Sequence, residues 1–178
     1  GFEYAFEKLN SSFSIHIEDD ILVSKNLFIF YENIIEKYYK DKKFFAVNGM
    51  SKEFANKEFD NTYSKFIWGI CKCWGLHNSR WPILKKIWHD YYSSEINSSF
   101  VSAHDSPIEH YIKKNINYVI MPYRSLILEQ LSNGCNSVND PNYPGFKEWC
   151  MSFYNKKKIT EFNYSDKMIY TWRDDCIK

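Results

Sequence analysis

Phe13-Ser14-Ile15-His16-Ile17-Glu18-Asp19-Asp20-Ile21-Leu22-Val23-Ser24 is the stretch that decides how this chain is read. Its first five residues alternate ring, Ser, Ile, His and Ile, a period of two that predicts a strand. Three successive carboxylates, Glu18-Asp19-Asp20, then close what reads as a buried strand. Charge at such a place is costly unless something answers it. A hard divalent cation, Mn²⁺ or Mg²⁺, does so with oxygen ligands and leaves coordination positions for phosphate oxygens. A solvated acidic turn is the plain alternative, and a motif this short does not choose between the two.

Working outward, Ser24 is a good N-cap, and Leu27, Tyr31, Ile34, Ile35 and Tyr38 recur at helical period, predicting an amphipathic helix over 24–40. Phe44-Phe45-Ala46-Val47 reads as a second strand, ended by Asn48-Gly49. Upstream, Phe2, Phe6 and Leu9 have a short helical spacing. Residues 51–65 are polar without a clear period and read as a surface loop. Trp68 to Trp74 is a dense ring-and-cysteine patch. Trp81, Leu84, Trp88 and Tyr91 then share one helical face, with Pro82 in a first turn that tolerates it. Asp105-Ser106-Pro107 opens another helix with Ile108, Tyr111 and Ile112 facing inward. Tyr118 to Met121 is a strand stopped by Pro122, and Ser125 to Leu128 is a further candidate. Residues 133–145 form a loop, and a helix is expected near 146–155.

Strands alternating with helices imply an α/β fold, a mixed sheet flanked by helices that carries 13–17, 44–48 and 118–121. Ligands of open α/β sheets sit outside the carboxyl ends of strands, where Glu18-Asp19-Asp20 stands. A chain of 178 residues suits a single domain over 1–178, and 44% hydrophobic with 19% aromatic residues is ample for a core. The net charge of +1 argues against a general nucleic-acid binder. No apolar stretch is long enough to span a membrane. Five scattered cysteines do not read as a disulfide framework, so reduced thiols and a cytoplasmic setting are expected.

The run from Ile15 to Ser24, Phe28 on the following helix, and Phe45-Ala46-Val47-Asn48-Gly49 resemble the central segment of GT-A type nucleotide-sugar glycosyltransferases. The likeness is to the N-acetylglucosaminyltransferase type and to related bacterial and viral sugar transferases. By that resemblance Asp20 is the metal ligand, and Glu18 and Asp19 contact the nucleotide or support the site. Trp74-Gly75, with the segment to Trp81, resembles the aromatic stretch that shapes the donor-sugar and acceptor pocket. Asp105, at a helix start ahead of Pro122-Tyr123-Arg124-Ser125-Leu126, matches the acid that removes the acceptor hydroxyl proton in inverting members. Such enzymes carry a nucleotide-binding βαβ unit ahead of the metal motif, whereas 17 residues precede Glu18 here. Part of that N-terminal half is therefore expected to be missing, with this chain the C-terminal portion of a larger polypeptide. Leu131 to Cys135 lacks the His that sometimes completes the metal shell, and no third ligand is assigned.

The resemblance implies a metal-dependent enzyme that moves a sugar from a nucleotide diphosphate donor to a hydroxyl acceptor, with inversion. The acceptor's nature, whether glycan, protein or small molecule, stays open. A non-catalytic sugar- or nucleotide-binding module on the same scaffold is the second reading, and a phosphoryl-transfer or nuclease domain the third. Several residues keep two readings. Asp105 is an N-cap, a base, or both; Asp90 is the rival base, and Glu109 lies about one turn beyond Asp105. His16 reads as an ordinary strand histidine. Trp74 and Trp81 are core rings or pocket walls.

Overall fold

The computed structural model of the protein describes residues 1–19, 21–50, 61–67, 70, 72–93, 106–123, 125–129 and 162–164. Eight strands are present among them: β1 Phe13–Ile17, β2 Ile21–Val23, β3 Phe44–Asn48, β4 Thr62–Phe66, β5 Cys73–His77, β6 Tyr118–Pro122, β7 Ile127–Glu129 and β8 Asn163–Tyr164. The helices are α1 Leu27–Tyr38, α2 Trp81–Ser93 and α3 Ser106–Lys114, with a π-helical turn at Tyr4–Lys8 and a 3-10 turn at Asn78–Arg80. Six strands form one sheet in the order β1-β5-β3-β6-β4-β8, and β2 pairs with β7 as a separate ribbon. The sheet is mixed: β3 runs parallel to β6 and β4 to β8, while the other neighbours are antiparallel. The fold is α/β, and 13–17, 44–48 and 118–121 all lie in the sheet as the alternation implied.

Both faces of the sheet are covered, which is why β3, β5 and β6 are almost wholly apolar. On one face α1 buries Leu27, Phe30, Tyr31 and Ile34 against Phe44, Val47, Cys73 and Ile120. On the other, α2 and α3 bury Trp81, Leu84, Ile108 and Ile112 against Phe45, Trp74, Leu76 and Val119. Alternation sends successive residues of β5 and β6 to opposite faces. In β3 the register to β6 shifts between Phe44 and Ala46, a bulge that lets Phe45 and Ala46 both join the α2–α3 side.

Several expectations need correction. The strand ahead of the carboxylates is not buried: β1 lies at the sheet margin, pairs only with β5 among the described strands, and leaves Ile17 39% exposed. Phe13 and Ile15 pack toward α1, while His16 is exposed on the other side. The N-cap of α1 is Asn26 and not Ser24. Ser24 acts two residues earlier, its Oγ accepting from Asn26 N (3.3 Å) and its carbonyl from Leu27 N (2.9 Å). The polar stretch 51–65 ends within β4, whose Tyr63 and Phe66 are buried on opposite faces. Hydrophilic Thr62, Ser64 and Lys65 around those rings hide its period of two. The helix expected near 146–155 and the loop 133–145 lie outside the described residues.

At the end of β3, Gly49 N donates to Cys73 O (2.9 Å), and Gly49 O accepts from Leu126 N (2.8 Å). A Cβ there would overlap Leu27 Cδ1 and come within 3.0 Å of Tyr31 Oη, which itself donates to Cys73 O (3.0 Å). Leu27 and Tyr31 are both fully enclosed, so neither yields freely. Gly49→Ala is expected to lower stability by about 1–3 kcal/mol, the usual effect of overpacking a tight core, as read from the urea midpoint.

Candidate functional site

β1 and β3 are each antiparallel to β5, so β1, β3 and β6 point the same way and end along one edge of the sheet. At that edge lie Glu18-Asp19 after β1, Asn48-Gly49 after β3 and Pro122-Tyr123 closing β6. The acidic turn is held at both ends. Glu18 N donates to Lys72 O (3.0 Å), Ile21 N to Glu18 O (3.3 Å), and the turn runs directly into β2, which pairs with β7. Lys72 sits in the left-handed region (φ 58°), a strained place for a side chain of its size. From there its ammonium reaches the Glu18 carboxylate at 3.4 Å, an ion pair partly open to solvent. Asp19 is exposed.

A cavity of about 460 Å³ opens beside Glu18 on the α2–α3 face, within the size range of small-ligand sites. His16, Glu18, Lys72 and Trp74 come from the sheet, Trp81 and Trp88 from α2, Ile108 from α3, and Phe2 from the N-terminal segment. The rings touch one another. Phe2 lies 4.8 Å from Trp74 and 6.3 Å from Trp88, His16 6.1 Å from Trp74, and Trp81 6.3 Å from Trp88 at a steep angle. Trp74 is therefore core ring and cavity wall at once, as is Trp81.

Trp81 is fixed: its indole N–H donates to Glu7 Oε1 (2.8 Å), which also meets Lys85 Nζ at 2.7 Å. Lys85 pairs as well with Glu3 at 3.3 Å, so the N-terminal segment is clipped to α2 and carries Phe2 over the cavity. The indole N–H of Trp88 differs. It is buried and has no hydrogen-bond partner among the described residues. A buried donor left unpaired costs about 1–3 kcal/mol.

The residues singled out from sequence divide clearly. Glu18 and Trp74 line the cavity, and Asp19 stands on the adjoining turn. Gly75 lies on the opposite face of β5, where the Phe13 ring covers it and Val47 Cγ1 would sit 3.3 Å from an added Cβ. Close packing between β1 and β3 accounts for that glycine. Asp20 and Asp105 lie outside the described residues, as does His104. Asp105 immediately precedes α3, and Ile108, in the first turn of α3, lines the cavity. Asp90 is on the exposed side of α2, 56% accessible and paired with Lys86 at 2.7 Å, away from the cavity wall. That placement weakens it as a rival base.

His77 has a structural task. Its Nδ1 accepts from Ser79 N (3.2 Å) to start the 3-10 turn, and burial, then the nearby Arg80, hold its pKa below the ordinary histidine value. His16, Lys72 and Trp88 are among the cavity residues for which sequence reasoning proposed no site role. The signal for His16 was its place two residues before Glu18; nothing local marked the other two.

Among the described residues, no group of three or more His, Cys, Asp or Glu side chains is placed to hold a metal ion. No described helix is long and apolar enough to cross a membrane. Cys73, buried beneath Tyr31, is a free thiol. No protein-family model matches the chain, and no match was found among curated proteins.

The clip at Glu7 has a pH signature. Hydrogen bonds from Lys85 and then Trp81 hold the Glu7 carboxyl below the usual carboxylate range. Its contribution is thus complete above the unfolded pKa, about 4.3, and is lost as pH falls through the lower folded value. Glu7→Gln should reduce amide-exchange protection over residues 2–8 at neutral pH. The difference from wild type should close in acid, as the wild-type carboxyl protonates.

Proposed function

We propose that the protein is the metal- and acceptor-binding portion of a GT-A type glycosyltransferase that moves a sugar from a nucleotide diphosphate to a hydroxyl acceptor. One observation carries the reading. Three segments far apart in sequence, the acidic turn at Glu18, the Trp74 strand and the opening turn of α3 at Ile108, meet around one cavity at the carboxyl edge of the parallel strands. These are the segments through which the sequence resembles that family.

The donor chemistry at the turn fits a hard cation. Asp19 is solvent-facing, Asp20 follows it, and Mg²⁺ or Mn²⁺ is commonly held by one or two carboxylates with substrate phosphates supplying the rest. Asp20 would hold the ion, with Glu18 and Asp19 as its companions, and bound metal would neutralise charge on the departing diphosphate. Glu18 is already half-engaged by Lys72, which limits it to a supporting part. Asp105 takes the proton of the acceptor hydroxyl while the new glycosidic C–O bond forms and the sugar–phosphate C–O bond breaks. The electron pair leaves with the nucleoside diphosphate. The helix that follows Asp105 favours its ionised, proton-accepting form.

Two measurements test this. With a nucleoside diphosphate present, Mn²⁺ binding by calorimetry should be strong for wild type and lost in Asp20→Ala; equal affinity removes the metal assignment. Asp105→Asn keeps the cap and the shape, so turnover should fall on the order of 10²–10⁴-fold with Mn²⁺ affinity unchanged. That assay uses a chain that includes any preceding donor-binding half. Near-wild-type turnover would pass the base to Glu109. Metal and sugar binding without transfer, in such a chain, would leave the non-catalytic binding module.

A further inference from the structure

We propose that the amino edge of the sheet is a docking face for an anionic membrane surface, with its lysines against the headgroups and Ile116 inserted between them. Strand direction gathers the residues. β3 and β6 begin at this edge, and β4 and β5, antiparallel to them, end there. α1 and α3 finish there as well, because the short turns after them lead into β3 and β6, and Tyr118 N donates to Lys43 O (2.9 Å). Lys37, Lys40, Lys42 and Lys43 thus stand along the same edge as Lys113 and Lys114 of α3, each of them exposed. Lys65, near the end of β4, lies 4.3 Å from the Tyr118 ring. Against them are Glu36, exposed on α1, and Asp41, whose carboxylate already accepts from Tyr118 Oη (2.5 Å) and Lys43 N (2.9 Å). Lys42, Lys43, Lys113 and Lys114 have no ion-pair partner among the described residues. The whole chain carries a net charge of +1, so the excess is local to this edge.

Apolar side chains stand among these ammonium groups. Ile67, just past β4, is 44% exposed, and Ile116, between α3 and β6, is 68% exposed. Ile116 N donates to Lys113 O (3.2 Å) and Asn117 N to Ile112 O (3.0 Å), the paired bonds that close a helix on a residue in the left-handed region. Glycine is the usual residue there, yet Ile116 occupies it at φ 54°. A β-branched side chain in that conformation is strained, and no burial within the described fold offsets the strain. Insertion at a lipid interface supplies that burial, with lysines around the apolar side chain holding the anionic headgroups.

Composition selects the partner. Lysines are compact charges that suit a diffuse anionic surface. Nucleic-acid recognition favours arginine forks, and the arginine at this edge, Arg80, is engaged by Phe44 O (2.7 Å) and Asp41 O (2.6 Å). An exposed Ile, likewise, gains nothing on a phosphate backbone. Docked this way, the acidic turn and its cavity face away from the membrane, about 16 Å off across five-residue strands. The docking face does not depend on the transferase assignment.

The test is co-sedimentation of the 178-residue chain with vesicles of phosphatidylcholine alone or of phosphatidylcholine mixed with phosphatidylserine. Binding should require phosphatidylserine and weaken as salt is added. Lys42→Gln, Lys43→Gln, Lys113→Gln and Lys114→Gln together should cut partitioning by roughly a few hundredfold, at about fivefold for each lysine. Ile116→Gly should cut it about tenfold, the low end for burying such a side chain. The same variant should raise the urea midpoint, because glycine takes the left-handed conformation without strain. Weaker binding by a more stable protein separates docking from a structural role. No partitioning onto mixed vesicles, equal partitioning onto phosphatidylcholine alone, or wild-type binding by either variant would each overturn the proposal. Tighter binding to duplex DNA or RNA than to mixed vesicles, lost in the lysine variant, would overturn it too and give the edge to nucleic acid.

Discussion

The carboxyl edge of this sheet depends on how closely backbone can approach backbone at Gly49. Its N–H reaches Cys73 O, its carbonyl receives Leu126 N, and Leu126 O in turn receives Ser24 N at 2.8 Å. The chain of contacts joins β5, β3, the arm leading into β7 and the entrance to α1. Leu27 and Tyr31 close over it so tightly that no side chain fits. Buried backbone groups must be paired, and here the pairing itself sets the positions of four elements. The acidic turn between β1 and β2 inherits its place from this junction, tied at one end to Lys72 and at the other, through β2, to β7 and Leu126.

Electrostatics at the turn divide the acids by role. Glu18 is drawn toward Lys72 and the cavity, while Asp19 faces solvent. Lys72 is held in the left-handed region, a strain that persists where surrounding structure imposes it. Its location satisfies Glu18 twice, by backbone carbonyl and by ammonium. The surface ion pair is worth little in folding energy; its consequence is to orient one carboxylate and leave the next free.

Aromatic excess also resolves into separate tasks. Much of it is core: Phe44, Phe45, Phe30 and Tyr63 are fully enclosed between the sheet and its helices. Tyr118 donates to Asp41 Oδ2 at 2.5 Å at the opposite, amino edge, and Arg80 reaches Phe44 O (2.7 Å) and Asp41 O there, so that end is a structural staple. The rings around the cavity are a third group, anchored from behind by Glu7 and Lys85 yet open in front.

Local patterning was enough for the α/β class, for the sheet positions of 13–17, 44–48 and 118–121, and for the existence of the three helices, which the structure bounds at Leu27–Tyr38, Trp81–Ser93 and Ser106–Lys114. These rest on hydrophobic period, which is local and survives without knowledge of neighbours. It also placed the acids at a strand end. Tertiary structure decided the rest. Whether β1 was central or marginal depends on which strands pair with it, and pairing is not written in its own residues. Thr62–Phe66 became a strand because β6 and β8 supply its hydrogen bonds, against a composition that reads as loop. Gly75 is no part of the cavity, because the Phe13 ring occupies the space a side chain would need. Lys72 and Trp88 gained their meaning only from what surrounds them, an acid turn for one and an unanswered hydrogen bond for the other. Contacts between residues far apart in sequence exist only once the sheet has brought them together.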